Sequence, residues 1–286
     1  MMGRARVLQR GLALLIVAAL GLALSACLLT PGRFTSSLDI RHDGRFRFAY
    51  AGEIQLLALS RLAEMGRDAD AKFKPERCTI KATGADRPCT PAEIVEQKRK
   101  WQESRTAAED KHRREGESMK AMLGGIDPSD PRGAEELAVR LRQQAGWRRV
   151  TYKGDGLFDV DFAIDGRLDH DFAFPTIERF PMANAFVQLS VRSDGSVRMD
   201  APGYSAAMSG EPWRQLMAAS AAEKSGGSPV PGMPAMDGTF VLTTDAAILA
   251  NNTDQGPQAG TAGQQLSWTV NARTGTAPMA LLRLQR

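Results

Sequence analysis

The chain has 286 residues, with 37 Lys and Arg against 33 Asp and Glu, and a formal net charge of +4. This length is sufficient for one large domain or two small ones with a well-buried core. Three of the cations, Arg4, Arg6 and Arg10, precede an apolar segment, so the remainder of the chain carries a net charge of about +1. The basic excess typical of nucleic-acid-binding proteins is absent, and we expect no nucleic-acid partner.

The apolar segment 11–26 follows a basic start and ends at a cysteine. It is shorter than the roughly 20 residues that span a bilayer, and it is typical of the hydrophobic region of a secretory signal. Its end, Leu24-Ser25-Ala26-Cys27, resembles the lipobox of bacterial lipoproteins. The resemblance implies cleavage before Cys27, diacylglycerol on its sulfur, and acylation (palmitate) of the new amine.

Membrane attachment follows from this resemblance, because two or more acyl chains hold a protein stably on a bilayer. The residue after the cysteine is Leu28, and a non-acidic residue there implies the outer membrane in Gram-negative bacteria, with the inner membrane as the alternative. We therefore expect a signal peptide at 1–26, a lipidated tether at 27–33, and a domain at 34–286 on the periplasmic face of the outer membrane.

Two cysteines, Cys78 and Cys89, remain after Cys27. In an exported chain, two cysteines on either side of a turn-rich stretch indicate a disulfide bond. Their spacing is not Cys-x-x-Cys, which disfavours a redox-active pair. We predict a structural disulfide.

Three segments, at 38–50, 158–172 and 189–199, alternate apolar and polar residues on both sides of an Asp-Gly pair. Within each segment, the apolar residues before and after the turn share parity. A three-residue loop ending in glycine keeps them on one face, whereas a two-residue loop does not. The sequence therefore predicts three hairpins, which turn at His42-Asp43-Gly44, Ile164-Asp165-Gly166 and Ser193-Asp194-Gly195.

Helical patterns lie between the first two hairpins. Apolar spacing predicts a helix over 53–65, and Thr90-Pro91-Ala92-Glu93 has the form of a capping box, which starts a helix that runs to about 123. Asp130-Pro131 predicts the start of another helix, which ends by Gly146. The fold class is thus α+β: an antiparallel β-meander of Asp-Gly hairpins in a single domain, with a helical insertion at about 53–146.

Later in the chain, the sequence predicts a short helix over about 212–222 and a Gly/Pro/Ser-rich loop over about 224–236. Strands are predicted at 239–244, 265–270 and 279–284, and another at 147–152 before the second hairpin.

Four carboxylates lie on the polar face of the second predicted hairpin. The three-residue loop would place Asp161 opposite Asp169 and Asp159 opposite Asp171, and like charges directly opposed destabilise a sheet. Solvation alone, internal ion pairs with arginine, or a bound Ca²⁺ would each relieve the repulsion. Flat strands converge poorly on six or more ligands, so we expect neither a metal nor any other cofactor.

Catalytic motifs are missing: there is no Gly-x-Ser-x-Gly, His-Glu-x-x-His or Ser-x-x-Lys, no phosphate-binding glycine loop and no dinucleotide fingerprint. We therefore expect that the protein is not an enzyme. Gly238-Thr239-Phe240, Asn251-Asn252-Thr253 and Trp268-Thr269-Val270 resemble the C-terminal part of the β-rich domain of mycobacterial M-type lipoproteins. Over these 35 or so residues, the resemblance implies a β-rich lipoprotein domain with lipid or envelope association.

The function we expect is that of a membrane-anchored envelope lipoprotein that binds or assembles with a periplasmic partner without catalysis. The alternative is binding of a lipid or another apolar ligand between the sheet and the helices; a hydrolase is less expected. A wide cavity there would favour the ligand, whereas a filled core with an exposed helix face would favour a protein partner. The apolar pocket would be lined by six phenylalanines: Phe46, Phe48, Phe158, Phe162, Phe172 and Phe174.

Overall fold

The structure is a computed structural model and describes residues 29–57, 59–60, 72–79, 86–122, 125–126, 130–177, 184–205 and 235–285. The predicted signal peptide, Cys27 and the helix predicted at 212–222 lie outside these residues, as does all but the end of the loop predicted at 224–236. No helix in the described part is long and apolar enough to cross a membrane.

Fourteen strands and two α-helices make up the described part of the fold, which is mostly β-sheet and fits the α+β class. The strands are β1 Leu29–Ile40, β2 Arg45–Leu56, β3 Cys78–Thr79, β4 Asp86–Arg87, β5 Trp147–Gly154, β6 Leu157–Arg167, β7 Phe172–Phe174, β8 Val187–Val191, β9 Ser196–Asp200, β10 Asp237–Thr244, β11 Ala247–Asn251, β12 Gln258–Gly260, β13 Gly263–Asn271 and β14 Met279–Arg283. The helices are α1 Pro91–Met122 and α2 Pro131–Arg142, and a 3₁₀ turn spans Pro202–Tyr204.

Two large sheets pack face to face. The order of the first is β12-β13-β10-β1-β2-β6-β5, and that of the second is β11-β14-β9-β8-β7. Their facing sides carry the apolar residues, and aromatic rings meet across the interface: the Phe48 ring lies 4.9 Å from that of Phe174. Alternation along each strand thus buries one face of each sheet, as in a β-sandwich.

The predicted meander of three equivalent hairpins is not confirmed. The chain reverses at the first and third Asp-Gly sites: Ile40 pairs with Phe46 and Val191 with Val197, and Gly44 and Gly195 have φ of 86° and 80°. However, β1 also pairs in parallel with β10, which comes from the far end of the chain.

The second predicted hairpin is wrong. Asp165 and Gly166 lie inside β6, where Gly166 pairs with Phe46, and Gly166 has no positive φ. This glycine is required by packing, because a Cβ atom there would lie 2.9 Å from Cε1 of Phe46. The reversal occurs instead at Asp155 and Gly156, between β5 and β6, where φ values of 49° and 77° match a two-residue type I′ turn.

The two boundaries predicted around β1 and β2 are also corrected. β1 begins at Leu29, which is 3% exposed, so residues 29–33 of the predicted 27–33 tether form part of the sheet. Both backbone groups of Leu29 bond the Asn184 side chain at 2.8 Å. β2 continues to Leu56, so the helix predicted from Glu53 is wrong over 53–56 and the insertion begins after that strand.

The helix starts predicted at Pro91 and Pro131 are confirmed. Asp130 caps α2 by accepting a hydrogen bond from the Arg132 N–H at 2.8 Å. Leu137 and Leu141 on α2 are buried, and the helix packs beside β5 at the edge of the seven-stranded sheet. The insertion thereby covers one end of the sheet with α2, whereas the side-chain contacts described for α1 are made with the segment before it.

Candidate functional site: the helical arm and its clip

The arm is α1, and the clip is the short chain that fixes its start: β3, β4 and the bond between Cys78 and Cys89. The disulfide predicted from the sequence is present. The two strands pair antiparallel, with Cys78 opposite Arg87. The clip therefore fixes the first turn of the arm covalently.

A capping box closes the N-terminus of the arm, as the sequence predicts. The Thr90 N–H donates to Glu93 Oε2 at 2.8 Å, and the Glu93 N–H donates to Thr90 Oγ1 at 3.3 Å. Arg87 of the clip donates to both Glu93 oxygens, at 2.8 and 2.5 Å. The Arg87 bond, followed by the Thr90 backbone bond, lowers the pKa of Glu93 from 4.5 to about 2.

We expect the cap to be pH-dependent in a defined window. Because the folded-state pKa of Glu93 is depressed, its stabilisation of the cap is complete above about pH 5 and is lost as the pH falls through about 2. The Thr90 amide resonance, followed by NMR against pH, should shift with a midpoint near 2. Glu93→Gln should abolish that transition, whereas a wild-type midpoint near 4.5 would contradict the cap's ionic character.

One face of the arm packs on the segment before the clip. The Trp101 ring lies 5.7 Å from that of Phe73, and the Arg105 guanidinium lies over the same indole. Gln97 bonds both backbone groups of Glu76, accepting at 3.1 Å and donating at 3.2 Å. The sequence reveals Trp101 as part of a thin apolar stripe on the helix, but nothing in it identifies Phe73 as the partner.

Most of the other side chains described on the arm are exposed, and they carry both charges. Intrahelical ion pairs follow one another along it: Glu96–Arg99 at 2.6 Å, Arg99–Glu103 at 2.5 Å, Arg105–Glu109 at 3.3 Å and Asp110–Arg113 at 2.7 Å. Each such exposed pair contributes little by itself, but together they support a helix that is polar on most sides. Val95 is 68% exposed on this surface.

The arm is therefore long and stiff. Its 32 residues extend for about 48 Å. The disulfide attaches one end of it covalently, and ion pairs along its length support the helix. It can present a row of alternating charges to another surface without first having to fold.

The described residues leave only a small apolar space between α2 and the seven-stranded sheet. The apolar space between α2 and the seven-stranded sheet is about 20 Å³, room for about one water molecule. It is lined by Leu29, Ile54, Leu56, Leu137, Leu141, Trp147, Phe158, Val160 and Ile177. Of the six phenylalanines predicted to line a pocket, only Phe158 borders this space, and the other five pack against one another and their neighbours in the core.

The predicted acidic face is dispersed, because its hairpin does not form. Asp159 pairs with Arg149 at 3.4 Å, and Asp161 lies between Ala51 and Arg149 in the sheet. Asp169 contacts His170, and Asp171 accepts a hydrogen bond from the Val191 N–H at 2.8 Å. The ion pair with Arg149 thus compensates the charge of Asp159, and the four carboxylates do not come together in one site.

In the described residues, one group of side chains has the spacing of metal ligands: Cys78, Cys89 and Glu93. Its two sulfurs are joined in the disulfide, so neither is a thiolate available to a metal. This group belongs to the clip.

The residues that resemble M-type lipoproteins come together between the two sheets. Asn252 Oδ1 accepts hydrogen bonds from Trp268 Nε1 at 3.0 Å and from the Met279 N–H at 2.8 Å. Asn251 Oδ1 accepts from the Thr253 hydroxyl at 2.6 Å. These contacts link β13 of one sheet to β14 of the other, which is a structural role.

Comparisons with known proteins identify no family for this chain. No family model and no curated protein matches the chain. Among solved structures, the NMR structure of the folded domain of the Mycobacterium tuberculosis lipoprotein LppM is similar at 11% identity. The alignment covers 90% of this chain and 92% of that one, with a TM-score of 0.29. This is a weak structural resemblance to a lipoprotein domain.

Proposed function

We propose that this protein is a lipid-anchored envelope lipoprotein that presents its helical arm to another envelope protein and performs no catalysis. The observation that carries the proposal is the arm itself: a clipped, capped helix with most of its charged surface exposed. Preorganisation of this kind lowers the entropic cost of binding. The membrane anchor rests on the lipobox at Leu24–Cys27.

The chemistry of the arm indicates the chemistry of the partner. Its exposed surface alternates glutamates and arginines around Val95, so a partner with the reverse alternation and a small apolar contact would fit it. Such ion pairs determine register and specificity more than affinity. We expect a helix or a flat surface of a protein as the partner.

The filled core favours the protein partner over the apolar ligand. A space of about 20 Å³ accommodates no acyl chain unless α2 moves away from the sheet. The buried polar side chains of the described part are Thr30, Ser36, Gln55, Ser196 and Thr244 on strands of the two sheets and Ser205 after the 3₁₀ turn, and this dispersion supports a non-catalytic role.

The anchor is tested by metabolic labelling. Cys27→Ala should remain uncleaved and should incorporate no palmitate, because the thioether and the processing signal are both lost. Ser25→Ala, which keeps a small residue in the box, should label normally. Palmitate incorporation by the Cys27→Ala protein would contradict the lipobox.

The partner is tested by photo-crosslinking in cells. A photoreactive amino acid at Val95 should give one defined protein adduct, whereas the same group at Leu249, 46% exposed on edge strand β11, should not. Exchanging three charges (Glu96→Arg, Arg99→Glu and Glu103→Arg) keeps both short ion pairs at position 99 but reverses the outward pattern. The exchange should remove the adduct while the helix content measured by circular dichroism stays unchanged. Equal adducts at both sites, or an adduct insensitive to the exchange, would contradict the proposal.

A further inference from the structure

Three arginines converge where the first hairpin turns. In the register of β2 and β6, Arg45 lies directly opposite Arg167, and the next outward-facing pair is Arg47 opposite Asp165. Neighbouring strands lie about 4.8 Å apart, so these guanidinium groups share one small area of the sheet's outer face. Like charges directly opposite each other destabilise a sheet, and the Arg45–Arg167 pair therefore needs a compensating negative charge.

The protein supplies only part of that compensation. Arg45 Nε donates to Asp43 Oδ2 at 2.8 Å, and Arg47 Nη1 lies 3.4 Å from Asp165 Oδ1. Arg167 Nη2 donates to the Asp43 backbone carbonyl at 2.9 Å, a neutral acceptor.

Elsewhere in the described chain, an arginine binds a carboxylate in a bidentate manner. Arg198 donates through Nε and Nη2 to the two oxygens of Asp200, at 2.6 and 2.9 Å. Arg45 and Arg47 each contact their carboxylate through one nitrogen in the described residues, which leaves the rest of each fork free to donate.

A cleft of about 330 Å³ opens at this place, within the size range of ligand sites. It is lined by Asp39, Arg41, Arg45, Phe46, Arg47, Asp165 and Gly166. Arg167 and Asp43 lie beside the cleft, and Arg41 is shared between Asp39 and Asp245. Four arginines thus face four aspartates, and Arg167 is the one whose hydrogen-bond acceptor is a neutral carbonyl. The sequence alone does not reveal this cleft. A turn at Asp165-Gly166 would place Arg167 on the second strand of another hairpin, away from Arg45.

We propose that this arginine cleft binds a phosphate-type oxyanion, with Arg45, Arg47 and Arg167 donating to its oxygens. Planar guanidinium forks match the oxygen spacing of phosphate, and a bound anion would neutralise the opposed pair. The cleft lies at the far end of β1 from Leu29, about 36 Å along the strand. A phosphate group in solution can therefore reach the cleft, and the cleft does not have to lie at a membrane surface to bind it.

The test is a titration of the full chain with inorganic phosphate, followed by NMR at the arginine Nε–Hε resonances. The resonances of Arg45, Arg47 and Arg167 should shift with one common saturation curve, while that of Arg198 stays constant. A parallel titration uses vesicles of phosphatidylglycerol, with phosphatidylcholine as the neutral control. Saturation by free phosphate identifies a soluble ligand, and a response to phosphatidylglycerol alone identifies a lipid headgroup; no response to either overturns the proposal.

Variants separate binding from structure. Arg167→Gln should weaken phosphate binding by about tenfold or more, yet the protein without phosphate should be as stable as the wild type or more so, because the opposed charge is gone. Arg167→Lys keeps the charge but loses the fork and should bind with intermediate affinity. Arg198→Gln should leave phosphate binding unchanged. An Arg167→Gln protein that is less stable and binds phosphate normally would show a purely structural arginine and overturn the proposal.

Discussion

Replacing Phe48 with alanine is expected to lower the free energy of unfolding by about 3–5 kcal/mol. Phe48 is fully buried on β2 at the centre of the seven-stranded sheet, opposite Leu38 on one side and Ile164 on the other. Its ring lies 4.9 Å from that of Phe174 and 5.5 Å from that of Phe172, both on the opposing sheet. Truncation therefore leaves a cavity at the sheet–sheet interface that rigid strands cannot fill.

The measurement is urea unfolding of both proteins, with the midpoint compared at an unchanged m-value. Phe172→Ala is the matched control, since the same residue type on edge strand β7 is only partly buried and should cost clearly less. Equal costs at the two positions would mean that the interface relaxes freely. The sandwich would then not be held by the packing of its two inner faces.

The sequence predicts which phenylalanines share one face of their strands, but it does not predict what that face packs against. Alternation places Phe46, Phe48, Phe158 and Phe162 on one face of their strands, and the structure keeps that assignment. The sequence cannot say whether such a face lines a cavity or meets a second sheet. That depends on β7 to β9 and β14, which are distant in sequence and supply the opposing side chains.

The glycine of an Asp-Gly pair is present for two different physical reasons in this chain. Gly44 and Gly195 are required by positive φ, and Asp-Gly there turns the chain. Gly166 is required by the Phe46 ring lying above it, a contact between strands far apart in the chain. The sequence pattern is the same in both cases, so only the pairing of β2 with β6 separates them.

The same limit applies to the charged sites. The acidic face was predicted from a local hairpin, and it disappears with that hairpin. The opposition of Arg45 and Arg167 arises from long-range register instead, and no spacing within either strand reveals it. The prediction of a helix over 53–56 is wrong for a related reason: Ile54 fits both a helical and an alternating pattern, and its pairing with Phe158 of β6 decides for the strand.

Removal of the disulfide, by Cys78→Ser together with Cys89→Ser, is expected to release the start of the arm while the sandwich stays folded. The bond closes a loop of about 12 residues, worth about 3 kcal/mol in the chain-entropy model. The two-residue strands β3 and β4 are too short to hold the clip by themselves. Amide exchange at Gln97 and Trp101 should accelerate by about a hundredfold, whereas exchange at Phe48 and the urea midpoint of the sheets should change little.

The double substitution is required, because a single one leaves a free thiol that can cross-link two chains. Thr90→Ala, which weakens the cap by about 1 kcal/mol and keeps the disulfide, is the matched control and should accelerate exchange only in the first turn. Removal of the disulfide should also weaken binding by the arm. An arm freed from the clip must be ordered again on binding, so the Val95 cross-link should weaken although the arm's charges are intact. A fall of the sheet midpoint comparable to that of Phe48→Ala would instead make the arm part of the cooperative core, and its role as a separately presented surface would be lost.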